Sequence, residues 1–300
     1  MPLINQVHVD TLLSNVSIKY RNESYVAMEI FPEVAVKKTS DLYRVYQRNF
    51  RLPHTLRADG AEAQEHSFDV STASYLLERH SLKDHVSDTK AENYDLADLR
   101  AETTEELTDV ILRRMENSVA TLITTTSWSQ NLSLAATAAW NATTTLDPIS
   151  HTDTGTTTIV NNSGKQPNII AMGLGAWQAL KNNAQILDRV KHTSAEVTEA
   201  MLAALIGVDK LVVAKQSQDT SALGAAESIS AMWNDAVLLA YRADRPGPLK
   251  PSAGYIFRKS LPLTKRWRVE ERESEAIEVG MEYQAKVVSS LSGFLIKDVT

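Results

Sequence analysis

Thr103-Thr104-Glu105-Glu106-Leu107-Thr108-Asp109-Val110-Ile111-Leu112-Arg113-Arg114-Met115-Glu116-Asn117-Ser118-Val119-Ala120-Thr121-Leu122-Ile123-Thr124-Thr125-Thr126 carries the strongest helical signal in the 300 residues. Thr103 and Glu106 stand at the spacing of a capping box, in which each side chain satisfies the other's backbone N–H. Leu107, Val110, Ile111, Met115, Val119, Leu122 and Ile123 recur at intervals of three and four, which makes one face apolar. About 23 helical residues would span roughly 35 Å. The threonines at 124–126 close the helix. Upstream, Tyr94-Asp95-Leu96-Ala97-Asp98-Leu99 either extends it or forms a separate turn.

On the N-terminal side, residues 1–24 mix polar and apolar types without a clear period. Tyr25, Ile30 and Phe31 anchor the next segment, and Phe31-Pro32 stops any helix. This reads as an arm that leaves the body. Leu42-Tyr43-Arg44-Val45-Tyr46 reads as a strand, and residues 67–77 as a second. Pro53 and Asp59-Gly60 punctuate the stretch between them. The pair predicts a long ribbon with an irregular tip. Arg44, Arg48, Arg51 and Arg57 lie on its outgoing side, and Glu62, Glu65 and Asp69 on its return. A two-stranded ribbon is marginal alone in water, so a long charged one calls for a neighbour.

On the C-terminal side, residues 131–164 are rich in Thr, Ser, Ala and Asn and read as a loop-rich boundary with one or two short strands. An α/β stretch comes next. Asn168–Met172 predicts a strand and Leu174–Val190 a helix. Thr193 and Glu196 predict a second capping box, and Gly207 a helix C-cap. Leu211–Ala214 and Val237–Tyr241 read as buried strands. Residues 244–251 hold three prolines and predict a loop. Further strands are expected at Arg266–Glu270, Ile277–Tyr283 and Phe294–Ile296. Arg266, Arg268 and Arg272 alternate with Glu270, Glu271, Glu273, Glu275 and Glu278 as an ion-pair band, either a solvated face or a subunit contact.

Composition narrows the classes. The 31 basic and 37 acidic residues leave a net charge of −6, which argues against grip on nucleic acid by bulk charge. Without cysteine there is no disulfide, thiolate metal site or cysteine nucleophile. Met1-Pro2-Leu3-Ile4 has no signal-peptide character, and no run reaches the length of a membrane span. Five Asn-x-Ser/Thr sequons are therefore read as chance. Gly173-Leu174-Gly175 sits where a dinucleotide loop would, but Gln178 replaces the third glycine. His54, His66, His80 and His85 fall near the ribbon without the spacing of a zinc site. No Gly-x-Ser-x-Gly elbow or phosphate loop occurs. The expectation is a protein with no catalytic, cofactor or metal residues.

The order of these parts resembles the major capsid proteins of tailed bacteriophages, with the Hong Kong 97-type fold, across roughly residues 10–299. The resemblance rests on Asn22-Glu23-Ser24-Tyr25-Val26-Ala27, Ile30-Phe31-Pro32-Glu33-Val34-Ala35-Val36, Arg57-Ala58-Asp59-Gly60, the long helix, Pro167-Asn168-Ile169-Ile170-Ala171-Met172-Gly173 and Gly293-Phe294-Leu295-Ile296. It implies an α+β fold with an N-arm at 1–30, an extended loop with its flanks at 31–85, and a peripheral domain with the spine helix at 86–167. An axial domain at 168–280 and a return to the periphery at 281–300 complete it. It implies a shell subunit forming pentamers and hexamers around double-stranded DNA, with portal, scaffolding and decoration proteins as partners. The place is the virion, after assembly in the host cytoplasm. Scaffolding would come from a separate protein, and no lysine–asparagine crosslink maps onto the chain. An encapsulin-like compartment shell shares the fold and is the alternative. The interface residues expected are Arg44, Arg48, Arg51, Arg57, Glu62, Glu65, Arg266, Arg268, Glu270, Glu271, Arg272 and Glu273. Val110→Pro is expected to abolish soluble folded protein, because a mid-helix proline removes a backbone hydrogen bond and clashes with the preceding turn; circular dichroism and a thermal melt check it.

Overall fold

A 27-residue helix, α3 (Leu99–Thr125), is the longest element. The computed structural model describes residues 8–9, 25–46, 55–57, 59–60, 62–63, 65, 70–93, 98–134, 139–141, 147–191, 197–222, 224–233, 235–245, 252–259 and 262–300. The helix starts one turn earlier than the capping box implied. Asp98 is the cap, its carboxylate accepting from the Arg100 N–H. Thr103 lies inside the helix and donates its hydroxyl to the Leu99 carbonyl at 2.8 Å. Ile111, Met115, Val119 and Ile123 are buried as expected, and Leu112 is buried with them; Leu107 and Leu122 are half-buried, and Val110 stands at the edge of the apolar stripe, 40% exposed.

Two sheets flank this helix. The first joins β1 (His8–Val9), β2 (Glu33–Ala35), β5 (Glu78–Ser87), β12 (Gly254–Arg258), β13 (Leu263–Val269) and β14 (Ser274–Val287). Its axis is β14, which pairs antiparallel with β5 over ten residues on one side and with β13 and then β12 on the other. Ile277, Val279, Met281 and Tyr283 alternate inward along β14, the period-two pattern of a half-buried strand. The second sheet has the order β6 (Asn131–Ser133), β15 (Gly293–Lys297), β11 (Val237–Ala240), β7 (Ile169–Gly173), β8 (Lys210–Ala214). Apart from the edge strand β6, its strands are apolar on both faces because both faces are covered. Ile169, Ala171, Val212, Leu238 and Leu295 join the core around α3. Ile170, Met172, Leu211, Val213, Leu239 and Phe294 face a second core made with α4 (Pro148–Ser163), α5 (Leu174–Lys181), α6 (Ala184–Val190) and α7 (Glu199–Ile206). The ribbon, β3 (Ser40–Tyr46) with β4 (Val70–Leu76), and the hairpin β9 (Ser217–Asp219) with β10 (Ile229–Ala231) stand outside both sheets.

Several expectations are corrected. Residues 148–163 are a helix, not loop. Asp147 caps it, Pro148 occupies its first turn, and Gly164 ends it at φ 68°. Its threonines tolerate the helix because Thr154 and Thr158 donate to carbonyls four residues back. The helix expected over 174–190 breaks at Asn182-Asn183, where Asn183 caps a new helix. The Thr193–Glu196 box lies outside the described residues; α7 is capped instead by Thr198. Gly207 closes α7 at φ 81°, as expected. A lobe boundary at 280/281 does not coincide with a change of sheet. Residues 254–287 pair beside the long helix, and Gly293–Lys297 join the α/β lobe.

The body also begins before residue 30, inside the stretch expected to be arm. Val26, Ala27, Ile30 and Phe31 are buried, and α1 (Ala27–Ile30) sits within the main core. His8–Val9, the described part upstream, pairs with Lys265–Arg266 at the edge of the first sheet. Phe31 fits only because residue 254 is glycine: a Cβ there would lie 2.7 Å from the ring. Gly293 allows a still closer approach of the Trp128 ring. Gly254→Ala and Gly293→Ala are each expected to lower stability by about 1–3 kcal/mol through overpacking, read as a lower denaturation midpoint at unchanged slope.

Candidate functional site

Three surfaces and one buried hub hold the polar and charged groups of interest. The first surface is the ribbon. Its inner face is pinned to the body, since Tyr43 and Tyr75 pack on Phe257 with ring centroids 5.4 and 4.8 Å apart. Lys286 donates to the Ser74 carbonyl, and Gln284 accepts from the Leu76 N–H at 2.9 Å. The opposite face leaves Leu42 and Leu76 exposed. Arg44 lies in β3 opposite Thr72, with its side chain outside the described residues. Arg48 and Arg51 fall outside them altogether. Arg57, Glu62 and Glu65 are exposed near the tip, where Gly60 takes φ 77° at the turn.

The second surface is the turn between β13 and β14. Arg268 forms a two-pronged pair with Asp88, both distances 2.6 Å, and reaches Glu270 at 3.6 Å. That pairing holds the Asp88 carboxyl below its ordinary range. Arg266 and Arg100 share Glu275, at 3.8 and 2.6 Å. The band therefore braces α2 (Asp88–Glu92) and α3 against the first sheet within one chain. Glu270, Glu271 and Arg272 form a single exposed 3₁₀ turn, and Glu273 comes next with φ 41°. Glu271 and Arg272 make no ion pair among the described residues. The third surface is the β9–β10 tip. Asp219 accepts from the backbone N–H groups of Ser221 and Ser228, and these bonds hold its carboxyl below its ordinary range.

The hub was not expected. Glu116 is fully buried on α3. Its Oε2 accepts from the Val26 and Ala27 N–H groups at 3.0 and 2.8 Å, and its Oε1 from the Trp233 indole at 2.8 Å. Burial pushes its pKa up, opposed by those three bonds. One signal was present in the sequence: a carboxylate standing on the apolar stripe between Met115 and Val119. Two turns earlier, Asp109 accepts from the Tyr25 hydroxyl at 2.6 Å and pairs with Arg113 at 2.6 Å.

An open cleft of about 580 Å³ lies between Trp140, Asn141, Gly175, Gln178, Asn183 and Thr300. Gly175, from the dinucleotide-like phrase, lines it, and among the described residues no ionisable side chain does. Among the described residues no three histidine or carboxylate side chains converge as a metal site, and no helix is long and apolar enough to cross a membrane. His80 stacks on Tyr283 with centroids 4.5 Å apart, and His151 accepts from the Trp140 indole at 3.1 Å. His54 and His66 lie outside the described residues.

No protein-family model matches the chain. The chain is 24% identical to the major capsid protein of Burkholderia phage BcepMu over 302 residues, covering 97% of this chain and 96% of that protein. A crystal structure of a phage-related protein from Bordetella bronchiseptica RB50 superposes with a TM-score of 0.79 at 24% identity, covering 98% of each chain. The mature capsid subunit of bacteriophage PhiM1 superposes at 0.63 with 12% identity, over 99% of this chain and 91% of that one. The chain has the Hong Kong 97-type capsid fold.

Burial holds the pKa of both His80 and His151 below the ordinary histidine value. At these two groups the unfolded chain then binds more protons than the folded one below about pH 6.5, whereas Glu116, its pKa raised, works in the opposite sense. The histidine contribution to stability is expected to be level above that pH and to fall as pH drops through the lowered values. His151→Gln keeps an acceptor for Trp140 and should flatten part of that fall, read from denaturant midpoints between pH 5 and 7.5.

Proposed function

We propose that this chain is the structural subunit of a tailed-phage head, closing as pentamers and hexamers into an icosahedral shell around double-stranded DNA. The observation that supports it most is the end-to-end similarity to a phage major capsid protein, 97% of one chain against 96% of the other. The role is mechanical, not catalytic. In this reading the spine helix with the β5–β14–β12/β13 sheet forms the peripheral domain. The β6–β15–β11–β7–β8 sheet with α4–α7 forms the axial domain. That division follows strand pairing and differs from contiguous blocks of sequence. Other partners would be portal, scaffolding and decoration proteins and packaged DNA without sequence preference, in the virion after assembly in the host cytoplasm. A net charge of −6 suits a container that encloses phosphates without gripping them.

The contacts between copies would run through the ribbon and the β13–β14 turn. Arg44, Arg48, Arg51, Arg57, Glu62 and Glu65 supply charge of both signs on an element whose outer apolar face, Leu42 and Leu76, is exposed among the described residues. At the turn, Glu270, Glu271, Arg272 and Glu273 face outward, whereas Arg266 and Arg268 serve mainly as internal braces. Each exposed pair contributes only about 0–1 kcal/mol, and closed symmetry repeats it over the shell.

Negative-stain images of purified protein are expected to show particles tens of nanometres across; a monomer at every concentration, salt and pH would refute the proposal. Nuclease-protected DNA inside the particles supports a phage head. A co-purified enzyme cargo in its place would support the encapsulin-like alternative. Arg57→Glu is expected to reduce particle yield while leaving circular dichroism and the melting midpoint unchanged, because Arg57 is exposed and belongs to neither core.

A further inference from the structure

We propose that Glu116 is a proton-linked latch: it ties the root of the N-terminal segment to the base of the β9–β10 hairpin, and withdrawal of Tyr25–Ala27 is coupled to uptake of one proton by its carboxylate. The inference goes beyond the shell reading and applies to the chain whether free or assembled.

The geometry is specific. Asp109, Arg113 and Glu116 stand at i, i+4 and i+7 on one face of the spine helix. Between them they take three consecutive groups of the N-terminal segment: the Tyr25 hydroxyl through Asp109, then the Val26 and Ala27 N–H groups through Glu116. The remaining oxygen of Glu116 holds Trp233, two residues after β10. One buried side chain therefore touches the spine, the N-terminal root and the axial lobe.

The carboxylate is matched to this place by number. It meets three N–H donors, and no lysine or arginine contacts it among the described residues. If Tyr25–Ala27 leaves, Oε2 loses both donors while still buried. A buried anion without partners is several kcal/mol unfavourable, so the group takes a proton from solvent. A protonated carboxyl accepts more weakly and has an O–H to place, which loosens the Trp233 contact. By linkage, acid favours the withdrawn state over the latched one. The titratable and charged groups on the elements packed around Glu116 do not reverse this sign. Glu29 on α1 raises its proton affinity and is paired with Lys210 of β8 at 3.0 Å. Asp109 and Arg113 neutralise each other at 2.6 Å. Tyr283 on β14 is buried and neutral, its pKa pushed up to about 12. The loop bearing Trp233 brings Asp235, which accepts from Thr300 at 3.3 Å.

Hydrogen exchange of the full-length chain between pH 4.5 and 7.5, corrected for the intrinsic pH dependence of exchange, tests the latch. Peptides covering residues 25–31 and 232–241 should lose protection together as pH falls, while 169–173 keeps it. The released population should rise by up to about tenfold per pH unit, the limit for one proton. Glu116→Gln, neutral at every pH, should leave both peptides weakly protected and independent of pH. Tyr25→Phe removes one anchor and leaves Glu116 untouched; it should move the joint loss to higher pH. The proposal is overturned if 25–31 opens while 232–241 stays protected, if the wild type shows no pH dependence, or if Glu116→Gln retains the wild-type pH profile. Should Glu116→Gln fail to fold, the Tyr25→Phe profile decides by the same joint criterion.

Discussion

Burial of the long helix α3 from several sides at once is the constraint on which the rest depends. Ile111, Met115, Val119 and Ile123 share one core with β14, β12 and the inner face of the second sheet. A helix enclosed in this way has little room for a polar group, and any it holds must be satisfied. Glu116 meets that requirement with three donors from two distant parts of the chain. The N-terminal root is in the core because its backbone N–H groups supply two of them.

From that centre the molecule becomes less self-sufficient outward. The sheet around β14 is braced by Arg268–Asp88 and by Arg100–Glu275. The base of the ribbon is fixed by the Tyr43, Tyr75 and Phe257 rings, but its outer leucines are exposed. Charge follows the same gradient. Arg100, Arg266 and Arg268 are paired against the body, whereas Glu271 and Arg272 at the β13–β14 turn are not paired among the described residues.

Close approach of rings to glycine backbone sets the joints between these layers. Phe31 lies over Gly254 and Trp128 over Gly293, so the N-terminal root and the end of α3 are each locked against a strand by shape alone. Trp128 also donates its indole N–H to the Ile123 carbonyl at 2.9 Å, closing the helix end. Such contacts have no sequence periodicity. They become visible only once the strand and the ring are placed together.

Local pattern by itself determined the long helix, the ribbon strands, the buried strands of the α/β lobe and the stop at Gly207, because each depends on spacing and backbone preference within a few residues. It also determined the order of parts that resembles phage capsid proteins. It misplaced the helix start, since Thr103 offers the same capping chemistry as Asp98 and the choice between them depends on what the first turn packs against. It missed the helix at Pro148–Ser163, whose threonines read as strand or loop until their hydroxyls are seen returning to carbonyls one turn back. Tertiary structure alone decided that residues 254–287 belong beside α3 and Gly293–Lys297 in the other sheet, because strand pairing joins segments far apart in the chain. It also decided the role of Glu116. Its three donors come from Val26, Ala27 and Trp233, about 90 residues before it and 117 after it, and no local pattern spans that separation.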